Sequence, residues 1–105
     1  MRILYKEPGK APRTMVIAQD LVIMQQLVDG YIEPIRISDK TVLIINEEGK
    51  LRKMDPNFIL AVEDKVELIV GPAIFCGENG EDFASLPKDE LDQIMDCLKK
   101  GDFVL

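Results

Sequence analysis

The chain has 105 residues, 47% hydrophobic and 30% charged, and this length predicts one domain, residues 1–105, around a single core. It has no apolar run near the roughly 18 residues of a membrane span and no apolar leader after Met1, so we expect a cytoplasmic protein with no membrane partner. The net charge of −6, with cations interspersed among the anions, disfavours direct nucleic-acid binding, which needs clustered lysine and arginine.

The first two apolar runs, residues 1–6 and 13–18, are predicted to pair as a β-hairpin. Between them, Pro8 and Gly9 suit the central positions of a type II turn, because proline presets φ and glycine accepts a positive φ. The turn explains Pro8 and Gly9, but it does not explain Lys10.

A helix is predicted next, with Asp20 as its N-cap and Gly30 as its C-terminal stop. Its apolar stripe consists of Leu21, Met24, Leu27 and Val28. Residues 31–37 then alternate as a strand, and Pro34 places that strand at a sheet edge or on a bulge. Residues 41–45, TVLII, form the most continuous apolar strand in the chain, which predicts a central strand covered on both faces.

The second half of the chain is predicted to hold a short helix that starts at Pro56, two strands over residues 66–70 and 73–76, and an exposed acidic loop over 77–83. A last helix is predicted with Ser85 or Leu86 near its cap and Pro87 in its first turn, and it ends at Gly101. Its apolar stripe consists of Leu91, Ile94, Met95 and Leu98. Residues 103–105 are expected to fold back. The predicted class is α+β: a mainly antiparallel sheet of about five to six strands with two amphipathic helices on one face.

Nothing in the sequence supports catalysis or a bound cofactor. Histidine is absent, and the turn and cap contexts of Ser38 and Ser85 indicate structural roles. The adjacent pair Glu47 and Glu48 points to opposite faces of a strand, so it does not form a carboxylate dyad. The carboxylates of this pair and of residues 77–82 also lack the ligand spacing of a calcium loop, so we expect no metal site. We therefore expect a non-enzymatic protein.

The two cysteines are too few for a disulfide framework or a zinc site. Cys97 also falls within the amphipathic pattern of the last helix. Cys76 and Cys97 are therefore predicted to be buried, reduced thiols.

Two loops share a Gly-Lys pair, EPGK at residues 7–10 and NEEGK at 46–50. Neither matches the phosphate-loop pattern, in which Gly-Lys precedes serine or threonine and opens a helix. A glycine beside a lysine still allows backbone N–H groups and an ammonium to converge on an anion. The alternative is that both loops are solvated hairpin tips.

Four motifs occur in order along the chain: EPGK at 7–10, DGYIE at 29–33, VLIINEEGKL at 42–51 and DFASL at 82–86. In this set the chain resembles a family of short proteins of unknown function carried by bacteriophages, plasmids and Gram-positive bacteria. The resemblance extends over roughly residues 1–97. Asp29 and Ile45 depart from it, standing where the family pattern has glycine and cysteine. After Leu51, the stretch RKMDPNFILAV keeps only Asn57, in a shifted context, of the polar Asn-Arg pair in the family pattern.

The resemblance implies a mobile-element origin, and small acidic phage proteins of this kind often act by binding. We therefore expect an anti-defence protein that sequesters a small nucleotide-type ligand. Lys10 and Lys50 would contact phosphate, Tyr31 would stack on a base, and Asn46 and Glu33 would read hydrogen bonds. The candidate ligand-binding residues are Glu7, Lys10, Tyr31, Glu33, Asn46, Glu47 and Lys50.

Three alternatives remain open at this stage. The chain could be an acidic inhibitor of a host defence nuclease or effector, a DNA mimic that offers residues 77–82 with Asp89, Glu90 and Asp92. It could instead be a regulatory or assembly module without a defence role. The strand that carries Pro34 could also pair in a homodimer.

Overall fold

Strands dominate the fold and form two sheets in a computed structural model that describes residues 1–104. The first six elements are β1 (Arg2–Lys6), β2 (Arg13–Val16), α1 (Leu21–Val28), β3 (Ile32–Arg36), β4 (Val42–Asn46) and β5 (Pro56–Val62). The remaining five are β6 (Lys65–Val70), β7 (Ala73–Asn79), β8 (Asp82–Ala84), α2 (Lys88–Lys99) and β9 (Phe103–Val104).

The larger sheet is antiparallel, with the order β2-β1-β7-β4-β3, and β8 adds to β7. The smaller sheet has the order β6-β5-β9, in which β9 runs parallel to β5. The predicted α+β class and mainly antiparallel sheet are confirmed. The predicted fold-back is confirmed for Phe103 and Val104, whereas Leu105 lies outside the described residues.

The prediction that both helices cover one face of the sheet is wrong. Alternate residues of β4 point to opposite faces: Val42 and Ile44 pack in the core with Met24 and Val28 of α1. Leu43 and Ile45 pack in a second core with α2 and the smaller sheet. The sheet therefore separates α1 from α2. The reason is that β4 is apolar on both faces, so each face requires its own cover.

Several local predictions are confirmed. Asp20 caps α1, since its Oδ1 accepts a hydrogen bond from the Val22 N–H at 2.8 Å. Gly9 has φ 72° and the Lys10 N–H donates to the Glu7 carbonyl at 3.1 Å, as a type II turn requires. Pro34 lies on β3, which is an edge strand, and β4 is a fully buried inner strand.

Two segments differ from their predictions. The helix expected from Pro56 is the strand β5, because Phe58 and Leu60 are buried while Ile59 between them is exposed, an alternation that suits a strand. The acidic stretch 77–83 is a hairpin rather than a loop, since β7 extends to Asn79 and β8 begins at Asp82.

The ends of the helices also differ in detail. Asp29, rather than Gly30, takes the left-handed conformation after α1, with φ 62°. At α2 the N-cap is Pro87 and the helix begins at Lys88. The predicted stripe of α2 is confirmed, with Leu91, Ile94 and Leu98 buried and Met95 half-buried.

Candidate functional site

The loops that carry the sequence motifs meet at one end of the larger sheet. Lys6 at the end of β1 pairs with Ala73 at the start of β7. Because β4 runs antiparallel to β7, its last residue, Asn46, lies at this same end of the sheet. The α1–β3 connection joins them there, because the Glu47 N–H donates to the Tyr31 carbonyl at 2.9 Å. The expected convergence of EPGK, GYIE and NEEGK at one end is therefore what the topology produces.

Asn46 is fully engaged inside the protein. Its Nδ2 donates to the carbonyls of Val28 and Asp29, both at 3.0 Å, and its Oδ1 accepts from the Glu48 N–H at 2.7 Å. The side chain is buried and ties the C-terminus of α1 to the start of the NEEGK loop. Through these contacts Asn46, the last residue of β4, has a structural role: it joins β4 to the end of α1 and to the NEEGK loop.

Four of the predicted residues, Glu33, Asn46, Glu47 and Lys50, line one small cavity of about 90 Å³. Drug-sized ligands occupy pockets of roughly 300–1,000 Å³, so a nucleotide exceeds this space. The cavity is also acidic, because Glu67 joins Glu33 and Glu47 there and pairs with Lys50 at 3.3 Å. Three carboxylates around one lysine would repel a phosphate, so this cavity suits the Lys50–Glu67 ion pair better than an anionic ligand.

Glu7 and Tyr31 lie outside that small cavity. Glu7 forms ion pairs with Arg13 at 2.9 Å and with Lys10 at 3.6 Å, and it lines a separate surface cavity beside Arg52. The Tyr31 side chain is 67% exposed. The predicted residues thus share an end of the sheet but do not form one pocket.

Lys10 lines a different cavity, of about 330 Å³, together with Lys6 and Lys99. Apolar atoms of Ala11, Pro12 and Leu98 form part of its wall. None of the described residues that line it is acidic, although the whole chain carries a net charge of −6. We call this space the lysine cavity.

Lys6 is the buried member of the three lysines. Its Nζ donates to the Glu7 carbonyl at 2.8 Å and to Asn57 Oδ1 at 2.9 Å, and both acceptors are uncharged groups. Burial lowers the pKa of the Lys6 ammonium, because desolvation penalises the charged form. An ammonium has three N–H donors, so one remains for a further acceptor.

Asn57 holds Lys6 in place. Besides accepting from Lys6, its Nδ2 donates to the carbonyls of Lys6 and Gly71, both at 2.8 Å. The amide thereby joins β1, β5 and the turn before β7. The amine of Lys6 is consequently fixed rather than free to swing.

Lys6 and Lys99 are not among the candidate residues from the sequence, and Asn57 is marked there only as the residue retained from an Asn-Arg pair of the family pattern. Lys6 is the last residue of an apolar strand, Asn57 opens a segment that was interpreted as a helix, and Lys99 ends α2. These residues are far apart in the sequence, and the tertiary fold brings them to one cavity. For Lys6, the sequence signal is its position directly before EPGK.

The acidic surface considered for a protein partner is largely paired within the chain. Glu90 Oε1 accepts from Ser38 at 2.7 Å and from Thr41 at 2.8 Å, so it fastens α2 to the β3–β4 turn. Glu78 pairs with Arg36. Asp89 and Asp92 pair with Lys40 at 3.8 Å and Lys88 at 3.1 Å. These carboxylates are already committed to local contacts.

Other chemical features of the described residues are modest. Within residues 1–104, no group of three or more His, Cys, Asp or Glu side chains is placed to hold a metal ion, and neither helix has the length and apolarity to cross a membrane. Both cysteines are free thiols. Cys76 is buried as predicted, and burial, assisted by Glu78, raises its pKa to about 12, whereas Cys97 is only half-buried.

Comparison with known proteins gives one family. Residues 1–99 match the family model described as "Domain of unknown function (DUF3846)". No curated protein and no solved structure matches the chain significantly.

Proposed function

The chain belongs to the DUF3846 family, whose function is unknown, and we propose that it binds a small phosphate-bearing ligand of nucleotide type without transforming it. The observation that carries this proposal is the lysine cavity. Three lysine residues line about 330 Å³ of space in a chain whose net charge is −6.

Electrostatics support a phosphate as the occupant. Lys6 is buried without an anionic partner among the described residues, so its two hydrogen bonds to uncharged acceptors offset only part of its desolvation cost. A phosphate placed against Lys6 Nζ would offset that cost and accept its remaining N–H. Lys10, which also pairs with Glu7 at 3.6 Å, and Lys99 line the same space and add positive charge.

Size and lining support an organic group attached to the phosphate. The cavity volume reaches the lower end of the range for small-molecule sites. Ala11, Pro12 and Leu98 offer an apolar wall for a flat ring or a sugar face. A nucleotide of one or two phosphates fits this combination of charge and apolar surface.

The biological role that follows is sequestration. The resemblance to proteins of phages and plasmids supports a role in withdrawing a nucleotide signal from a host defence system. Binding without turnover agrees with the absence of histidine from the chain and with the ordinary structural contacts of Ser38 and Ser85.

A thermal-shift screen tests the proposal. A ligand at 100 times its Kd adds about 2.7 kcal/mol to the free energy of unfolding, which for a domain of this size raises Tm by on the order of 10 °C. The panel contains ADP, cyclic oligonucleotides and ADP-ribose, each paired with its phosphate-free nucleoside. We expect shifts for phosphate-bearing members that shrink as salt rises.

Two results would contradict the proposal. One is a panel in which no phosphate-bearing compound stabilises the protein beyond its nucleoside. The other is a bound compound that is recovered chemically altered after incubation, as judged by mass spectrometry, since that would indicate an enzyme.

A further inference from the structure

The outer face of the smaller sheet carries an exposed apolar patch. Leu68 lies opposite Ile59 and Val66 opposite Ala61 in the β5–β6 hairpin, so all four side chains share one face. Val66 is 73% exposed, Leu68 45% and Ile59 43%. Contiguous apolar groups of this kind commonly mark a protein interface.

The same hairpin presents an open strand edge. Within the described residues, β6 is hydrogen-bonded to β5 on one side and has no strand on the other, although Gly49 of the NEEGK loop lies beside Val70 at the end of β6. Val62 pairs with Lys65 across a two-residue loop, a closing pair that exchanges its backbone bonds. Alternation along β6 then directs the N–H and C=O groups of Val66 and Leu68 away from β5.

Charge selects how a second β6 would align on this edge. If Val66 lies opposite itself about a two-fold axis, Lys65 of each copy lies opposite Glu67 of the other, which gives two attractive pairs. If Glu67 lies opposite itself, like charges meet. If Leu68 lies opposite itself, both Glu67 side chains face Ile69. The first register is therefore favoured.

We propose that this protein forms a homodimer in which β6 pairs antiparallel with β6 of a second copy, with Val66 on the two-fold axis. The two smaller sheets then join through residues 65–67 of each β6, which pairs this part of both open edges and covers part of the apolar patch. Glu67 has two carboxylate oxygens, so it keeps Lys50 while accepting from Lys65 of the second copy.

The edge strand β3 is less suited to this pairing. It carries Pro34, which lacks the N–H that a strand ladder needs. The homodimer left open from the sequence at the strand of Pro34 is therefore proposed at β6 instead. The proposed β6 dimer is independent of the lysine cavity, which is lined by the EPGK loop and the end of α2.

Sedimentation velocity over a concentration series tests the dimer. We expect a concentration-dependent dimer for the natural chain. Lys65→Glu or Glu67→Lys alone should raise the dimer Kd at least about tenfold, because each places two like-charged pairs opposite one another. The double variant Lys65→Glu/Glu67→Lys restores attraction and should return the Kd to within about threefold of the natural value.

Val16→Lys is the matched control, since Val16 is also an exposed valine but lies on β2 in the other sheet. It should leave the Kd unchanged. A natural chain that stays monomeric up to about 1 mM would overturn the proposal. A dimer that the double variant fails to restore would overturn the register, and with it the assignment to β6.

Discussion

Replacing Asn46 with alanine is expected to lower the free energy of unfolding by about 2–4 kcal/mol, because each buried polar group left without its partner costs about 1–3 kcal/mol. The substitution strands the Val28 carbonyl and the Glu48 N–H, while the Asp29 carbonyl keeps a hydrogen bond from Arg52 at 2.5 Å. For a domain of this size the loss corresponds to a fall in Tm of roughly 10–20 °C. Urea or thermal unfolding followed by circular dichroism measures it.

Asn79→Ala provides the matched control, since Asn79 is the exposed last residue of β7. It should change stability by about 0.5 kcal/mol or less. At a temperature where both variants are folded, they should bind the phosphate-bearing ligand as the natural chain does. A stable Asn46→Ala protein that has lost binding would instead place Asn46 in the ligand site.

Lys10→Glu is expected to weaken binding of a phosphate-bearing ligand by about 10- to 100-fold, since a charge-assisted hydrogen bond is worth about 1.5–3 kcal/mol. Its side chain is 64% exposed, so the change should affect folding little. Isothermal titration calorimetry with ADP gives the two affinities directly.

Lys50→Glu is an unusually close control for this change. Lys50 also follows a glycine in a loop, its side chain is 61% exposed, and the substitution alters the net charge equally. It should leave the affinity within about twofold, because Lys50 lines the small NEEGK cavity and not the lysine cavity. The long-range effect of the changed charge is the same in both variants and is screened by salt. An equal loss in both variants, or a larger loss for Lys50→Glu, would move the site to the NEEGK loop.

Much of the fold was predictable where local chemistry decides it. Asp20 caps a helix through its own side chain, and residues 42–45 are apolar on both faces of their strand. Pro56 misled the helix prediction, because proline suits the first turn of a helix and the start of a strand alike. Pairing with β6 decides between them, and that is a tertiary effect.

The site was predictable only in part. Three of the four motif segments, EPGK, GYIE and NEEGK, lie at one end of the larger sheet, and Lys10 lines the lysine cavity. Lys6 and Lys99, which line the same cavity, lie more than ninety positions apart in the chain. The packing of α2 against β1 brings them together. The hydrogen bonds that occupy Asn46 are equally invisible to a motif.

The most direct test of the central claim is an amide chemical-shift titration of the ¹⁵N-labelled protein with ADP, with adenosine as the reference. Ligand in the lysine cavity should shift the amides of Gly9, Lys10, Ala11, Asn57 and Lys99, and leave those of residues 47–51 near their starting positions. Shifts centred on residues 47–51, or no shifts from ADP beyond those from adenosine, would contradict the account.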